Sequence, residues 1–297
     1  MIETSSFHTQ RNQLEYLNIG CGHRFHHAWQ NIDFISSNDK VSPCDLRDGI
    51  PFRDSFFQVV YHSHLLEHFS KESALRLTKE CFRVIKPRGI IRIVVPDLEA
   101  IVNGYLFALD QVLSGNLSWD SNYEWMLLEL FDQMIRNSPG GGIKSYFQRK
   151  DIPNENFVVE RMGSEIKNIA EEQKKVYLHK NMQNQRICSP KKILRLVHRF
   201  FRYPIYRREY LLKLILGQDY KFLEIGRFRQ SGEIHQWMYD RYSLRKLLNN
   251  CGFIGIVQRT AKESYIPNWE SFNLDTEPDG STYKPYSLFM EAIKPGL

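Results

Sequence analysis

The stretch Tyr16-Leu-Asn-Ile-Gly20-Cys-Gly22, followed by Asp33 and then Asp45, constrains this chain more than anything else in it. An apolar run of Tyr16, Leu17 and Ile19 breaks at two glycines, the pattern by which a buried strand gives way to a tight turn that admits a ligand to the backbone. Asp33 closes a second short segment, Asn31-Ile-Asp33-Phe34. A carboxylate at the end of the neighbouring strand is where nucleoside ligands present their ribose hydroxyls. Together these pieces point to a pocket for an adenosine-containing cofactor. A dinucleotide would need its pyrophosphate on a helix N-terminus and a third glycine for close packing of helix on strand. Phe25 stands at that third position. The roughly eight residues between Gly22 and Asn31, Trp29 among them, leave room for only one or two helical turns. A phosphate-free ligand fits better.

S-adenosylmethionine has the right parts: a ribose, an adenine, a zwitterionic amino acid and a sulfonium, with no phosphate. From Leu17 to Asp97 the chain resembles a class I S-adenosylmethionine-dependent methyltransferase, and it is similar to the type-11-like members of that superfamily. The motifs are Leu17-Asn-Ile-Gly-Cys-Gly22, Trp29-Gln-Asn-Ile-Asp33, Cys44-Asp-Leu46, Ile50-Pro-Phe52 with Asp54-Ser-Phe56, His64-Leu-Leu-Glu67-His68, Arg83-Val-Ile-Lys-Pro87 and Val94-Val-Pro-Asp97. Each is weak alone; their order and spacing make the set specific. The resemblance implies an α/β fold, Rossmann-like and doubly wound. Its mostly parallel seven-stranded sheet would carry a large, mainly helical insertion and a last strand paired antiparallel at the edge. It also implies roles: Asp33 for the ribose hydroxyls, Asp45 with Leu46 for the adenine, and Gly20, Cys21 and Gly22 with Ser63 and His64 for the methionine end. Two positions depart from the family pattern. Asn18 replaces an acidic residue that many members carry in the first motif, and it is kept as a candidate cofactor contact. The usual Lys-Pro-Gly-Gly turn reads Lys86-Pro87-Arg88-Gly89, with Pro second and Gly fourth, as suits a type I turn.

With 297 residues the chain exceeds the common domain size, so a core with an insertion is expected. Five cysteines, at 21, 44, 81, 188 and 251, form no Cys-x-x-Cys pair, which argues against a disulfide framework or a zinc knuckle. The first ten residues lack the apolar core of a signal peptide, and no apolar run approaches the ~20 residues that cross a bilayer. A cytoplasmic location is therefore expected.

Strands are predicted at 16–19, 31–34, 41–44, 56–61 and 89–95, with a helix that starts after Ser70 and ends before Lys86-Pro87. About 140 residues then follow Asp97 without a strong strand signal, too many for a structureless loop. The division read from this is a methyltransferase core at 1–97, a helical insertion at 98–234 that serves as a substrate cap, and a resumed core at 235–297. Helical periodicity marks 101–112 and 123–135. Ser138-Pro-Gly-Gly-Gly142 reads as the most flexible spot, a plain connector with a lid hinge as the alternative. A helix carrying Leu244, Leu247, Leu248 and Cys251, the stop Gly252 and strands at 253–257 and 287–293 complete the core.

Methyl transfer from a sulfonium is an in-line displacement dominated by positioning, and a base matters where an alcohol must lose its proton. His64, Glu67 and His68 sit at i, i+3 and i+4, which on a helix is one face. Three readings stay open: His64 or His68 as general base, a divalent metal held by all three as in small-RNA 2′-O-methyltransferases, or a cluster that only shapes the helix start. No metal is assigned. In Gly232-Glu-Ile-His235-Gln-Trp-Met-Tyr239-Asp240, His235 is the candidate substrate contact, against a packed Trp and Met with satisfied polar neighbours. The net charge of +6 concentrates at 191–216, where basic and large apolar residues mix. Such a stretch can make peripheral contact with an anionic membrane or bind nucleic acid, but an ordinary amphipathic helix with a solvated basic face is preferred. The function expected is transfer of a methyl group to an oxygen, less readily a nitrogen, of a small-molecule or saccharide acceptor. The alternatives are a metal-assisted RNA 2′-O-methyltransferase and a non-catalytic cofactor-binding interaction module. Nucleic acid is not the expected partner.

Overall fold

The computed structural model describes residues 15–36, 38–149, 151–163, 166 and 198–296. Along the chain these form β1 (Tyr16–Ile19), β2 (Gln30–Asp33), β3 (Val41–Pro43), β4 (Phe57–Ser63), α1 (Lys71–Val84) and β5 (Ile85–Pro96). Then come α2 (Leu98–Leu113), α3 (Asp120–Ile135), α4 (Gly141–Phe147), α5 (Glu155–Met162), α6 (Pro204–Leu216) and α7 (Tyr220–Arg229). The last elements are α8 (Arg241–Asn250), β6 (Ile254–Arg259) and β7 (Ser287–Ile293). The chain divides into two compact units, one of residues 1–100 with 236–297 and one of residues 101–235.

The first unit is built on one seven-stranded sheet in the order β3-β2-β1-β4-β5-β7-β6. The five strands from β3 to β5 run parallel, while β7 is antiparallel to both β5 and β6. This is the Rossmann-like arrangement the motifs imply. It corrects the expected place of the last strand: β7 lies between β5 and β6, and β6 is the edge. Parallel strands buried on both sides need apolar residues on both pleats, and the central strands supply them. Leu17, Ile19, Val60, Ile91, Ile93, Leu288 and Met290 face a core closed by Ala74, Leu77 and Cys81 of α1 and Leu244 and Leu248 of α8. Ser70 caps α1, its hydroxyl accepting from Ser73 N–H at 3.3 Å. Asp240 caps α8 in a reciprocal pairing with Ser243.

The other pleat carries Val59, Tyr61, Val94 and Phe289, packed with Trp29, Ala261, Ile266, Trp269 and Leu274. No helix forms between β1 and β2; turns carry the chain from 20 to 29 instead. Among the described residues this face is covered mainly by the irregular connection between β6 and β7. Arg92, fully buried, joins the two layers. Its guanidinium donates to Asp275 and Glu291 at 2.8 Å each and to the carbonyls of Thr260 and Glu263, and it lies over the Trp269 ring. Glu291 is directly opposite Arg92 across the β5–β7 ladder. Tyr61 donates to the second oxygen of Asp275 at 2.6 Å.

The 86–89 stretch also differs from expectation, since it lies within β5. Arg88 has φ +63°. A left-handed third residue is incompatible with the expected type I turn.

In the second unit, Trp125, Met126, Tyr146, Phe147 and Val158 are buried together with an ion pair between Arg161 and Glu129 at 2.7 Å. The 138–142 stretch is packed and not a loose connector. Gly142 N–H donates to the buried Asp132 carboxylate, and a Cβ at Gly141 would come within 2.6 Å of the same oxygens. Residues 191–197 of the basic stretch lie outside the described residues. From 204 on, α6 buries none of its side chains, and Leu211, Leu214 and Ile215 are exposed alongside its arginines, so it has no separate apolar face for packing. Among the described residues no helix is long and apolar enough to cross a membrane.

Candidate active site

Ligands in open α/β sheets bind outside the carboxyl ends of the parallel strands. At the end of β1 the chain turns through Gly20 at φ +62° and Gly22 at φ +53°. A Cβ at Gly20 would strike Leu65 at 2.7 Å, whereas one at Gly22 would meet nothing within 4 Å, so open space lies beside the turn. Gly20 N–H donates to the Ile32 carbonyl at 2.8 Å and Gly22 N–H to Asp33 Oδ2 at 2.8 Å. The Asp33 carboxylate thus holds the turn, and its Oδ1 has one longer contact, to Ile35 N–H at 3.3 Å. Asn18 is buried, and its amide nitrogen donates to the Arg24 carbonyl and Asn31 Oδ1; Asn31 in turn donates to the carbonyls of His26 and Trp29. The two asparagines do inside this loop what a helix would otherwise do. Cys21 is nearly buried, and burial together with the Asp33 charge pushes its thiol up to about 12, which leaves it unreactive.

Arg24, the one arginine of this loop, does not face the turn. It contacts the Thr276 carbonyl and Glu277 and lies 4.0 Å over the Tyr283 ring. A turn with open space and a carboxylate, with the loop's own arginine turned away, fits a phosphate-free nucleoside ligand. Farther along the edge, Asp45 caps the short helical turn Leu46–Asp48, and Arg47 pairs with its carboxylate, holding it below the usual carboxylate range.

The second half of the site lies at the end of β4. The strand stops at Ser63, and His64 follows at φ +50°, a conformation rare outside glycine and asparagine. The short helical turn begins only at Leu66, which corrects the single-helix-face reading of His64, Glu67 and His68. The backbone reversal nonetheless brings the imidazole over Glu67, with Nδ1 3.4 Å from Oε1, while Nε2 lies 2.9 Å from Ser287 Oγ. Glu67 is fully buried and His68 half-buried. The Glu67 carbonyl accepts from Gln236 and Trp237 N–H at 2.7 and 3.2 Å. Beneath lie His62, buried and pushed down to about 4 by burial with the nearby Glu67 charge opposing, and Tyr239, whose phenol is pushed up by burial and by that charge. His235 belongs to the helical unit, buried, its N–H donating to the Gln133 carbonyl at 2.9 Å. Asp97 caps the start of α2 through Glu99 and Ala100 N–H, and burial raises its carboxyl. Ser287 reaches this edge from the far end of the chain without any sequence motif to mark it, whereas Tyr239 belongs to the cluster at 232–240 that the sequence singles out. Asp97 was marked by its motif alone.

Residues 30–93, from β2 into β5, match a family model described as a methyltransferase domain. No curated protein matches the chain. Among solved structures it is similar to a SAM-dependent methyltransferase from Archaeoglobus fulgidus, at 12% identity over 94% of this chain and 85% of that one, with a TM-score of 0.35. It is also similar to a chain of the complex between the Haloferax volcanii Trm112 methyltransferase activator and a methyltransferase, at 11% identity over 94% and 82%, with a TM-score of 0.34. Such values add nothing to the family match. Motifs, strand order and that match support a class I S-adenosylmethionine-dependent methyltransferase, an enzyme that uses S-adenosylmethionine as its cofactor. Within the class, the matching model is the type-11 methyltransferase domain.

Proposed function

We propose that the protein transfers a methyl group to an oxygen, in preference to a nitrogen, of a small-molecule or saccharide acceptor, in the cytoplasm. The observation that supports oxygen is the 2.9 Å contact of His64 Nε2 with a hydroxyl, that of Ser287, at the ligand edge of the sheet. Bound at this edge, the cofactor supplies an electrophilic methyl carbon on a sulfonium. Asp33 would accept the ribose hydroxyls, Asp45 and Leu46 would flank the adenine, and Gly20, Cys21, Gly22 and Ser63 would line the methionine end. Asn18 would act by keeping the loop in shape. The remaining task is to hold an acceptor oxygen in line and take its proton, and an imidazole titrates in the right range for that. His64 is the base in this reading, with His68 as its alternate and His235 as a substrate contact.

Incubation with radiolabelled methyl donor and parallel sets of hydroxylated small molecules, saccharides and amines tests this. Label in ether or ester products is expected, and His64→Ala should lose at least about tenfold in turnover with cofactor affinity kept. Label confined to amines, or wild-type turnover in both His64→Ala and His68→Ala, would refute it.

A further inference from the structure

The contacts of His64 go further than the identity of a base. A carboxylate only accepts hydrogen bonds, so an imidazole nitrogen facing one carries the proton, and the opposite nitrogen is left as the acceptor. Glu67 cannot swing away: its side chain is fully buried and its backbone carbonyl is held by two amides of the returning chain. His64 cannot turn freely either, since its left-handed backbone fixes where the ring starts. Ser287, the first residue of β7, stands beside Pro96 in the ladder and meets Nε2 from the opposite side.

We propose that Glu67, His64 and Ser287 form an acid–base relay in which Glu67 is the positioning residue, fixing His64 with its proton on Nδ1 and aiming Nε2 at the place where Ser287 Oγ marks the acceptor hydroxyl. The inference rests on His64 being the base. In the reaction the acceptor's O–H bond breaks as Nε2–H forms, the oxygen bonds the methyl carbon, and the carbon–sulfur electron pair stays on sulfur. The imidazolium so formed is stabilised by Glu67 and returns its proton to water after product leaves. Titratable groups of the same unit near this pair include His62, kept neutral by burial, the Tyr239 phenol, and His68, which has a ring nitrogen within 4.8 Å of a Glu67 carboxylate oxygen. The 3.4 Å Nδ1 separation is long for a hydrogen bond, as such contacts are before a substrate tightens them.

The test needs no acceptor. Full-length protein labelled with 15N-histidine is followed by long-range proton–nitrogen spectra across pH, with His64→Gln assigning the signal. Wild-type His64 should show the Nδ1–H tautomer, Ser287→Ala should keep it, and Glu67→Gln should lower the His64 pKa by about one unit or more and mix the tautomers. An Nε2–H tautomer in the wild type, or a titration unmoved by Glu67→Gln, overturns the relay; the wild-type tautomer decides alone if that variant fails to fold. Full turnover in His64→Ala would instead strike the base reading, leaving the tautomer result to stand as structure only.

Discussion

The two faces of the sheet are closed in different ways. On one, helices α1 and α8 lay aliphatic side chains on aliphatic strands, an arrangement in which each contact is replaceable by another of similar volume. On the other, the rings of Trp269 and Phe289 lie against a buried guanidinium held by two carboxylates, and Trp29 packs on Trp269. The difference follows from the loop after β1, which is too short for a packing helix. A face left without its helix still has to exclude water, and the connection between β6 and β7 does that with polar anchors because an irregular backbone must find partners for its own carbonyls. Thr260 and Glu263 find theirs on Arg92, and Thr276 on Arg24. The shape of the loop after β1 is therefore tied to residues more than two hundred positions later.

The sharpest break of this comparison is Arg92→Leu. It leaves Asp275 and Glu291 buried without their cation and should cost about 3–5 kcal/mol, read by urea denaturation. On the helical face Leu248→Ala should cost about 2–5 kcal/mol through a cavity. A neutral Arg92→Leu would mean that both faces are ordinary apolar cores. Next is acid sensitivity of the helical face. His62 is buried neutral, its pKa lowered to about 4 from 6.5, so the unfolded chain binds the extra proton between those values. Stability contributed by this group is complete above pH 6.5 and is lost as pH falls toward 4, about 3 kcal/mol in all. His62→Leu should flatten that part of the stability profile, and an unchanged slope would place the acid sensitivity elsewhere.

A smaller effect tests the link between the back face and the pocket. Arg24→Ala removes no group that faces the turn, yet it should weaken cofactor binding several-fold, about 1 kcal/mol, by loosening the loop. Unaltered affinity in calorimetry would uncouple the two. The smallest effect is a gain. Arg88→Gly relieves a left-handed arginine at the cost of chain entropy, for a net stabilisation of up to about 1 kcal/mol in thermal melts, and a loss of stability would show that the Arg88 side chain carries its own contacts.

What was legible follows the same division. Apolar runs located β1, β4 and β5, the first of them broken by glycines, and helical periodicity located α1 and α8, because each of those signals is local. The face opposite was illegible: nothing in the spacing of Trp269, Asp275 or Glu291 announces that Arg92, in a strand read as buried, will meet them. At the site, the glycines and Asp33 could be named from strand-end logic. The bend at His64 could not, since counting i, i+3 and i+4 presumes a helix already running, and the chain here leaves β4 through a left-handed residue first. Ser287 lies 223 positions from His64, beyond any motif. The glycines at 140–142 were misread because loose and tightly packed glycine runs look alike until a neighbour such as Asp132 is seen against them.

The central claim is that the turn after β1, closed by Asp33, binds S-adenosylmethionine. Isothermal titration of the full chain with S-adenosylmethionine and S-adenosylhomocysteine, wild type against Asp33→Ala, tests it most directly. Micromolar binding to the wild type, weakened at least about tenfold in the variant with its thermal melt unchanged, is the predicted result. Equal affinity in the two proteins would contradict the account, because the cofactor would then be held somewhere other than this turn.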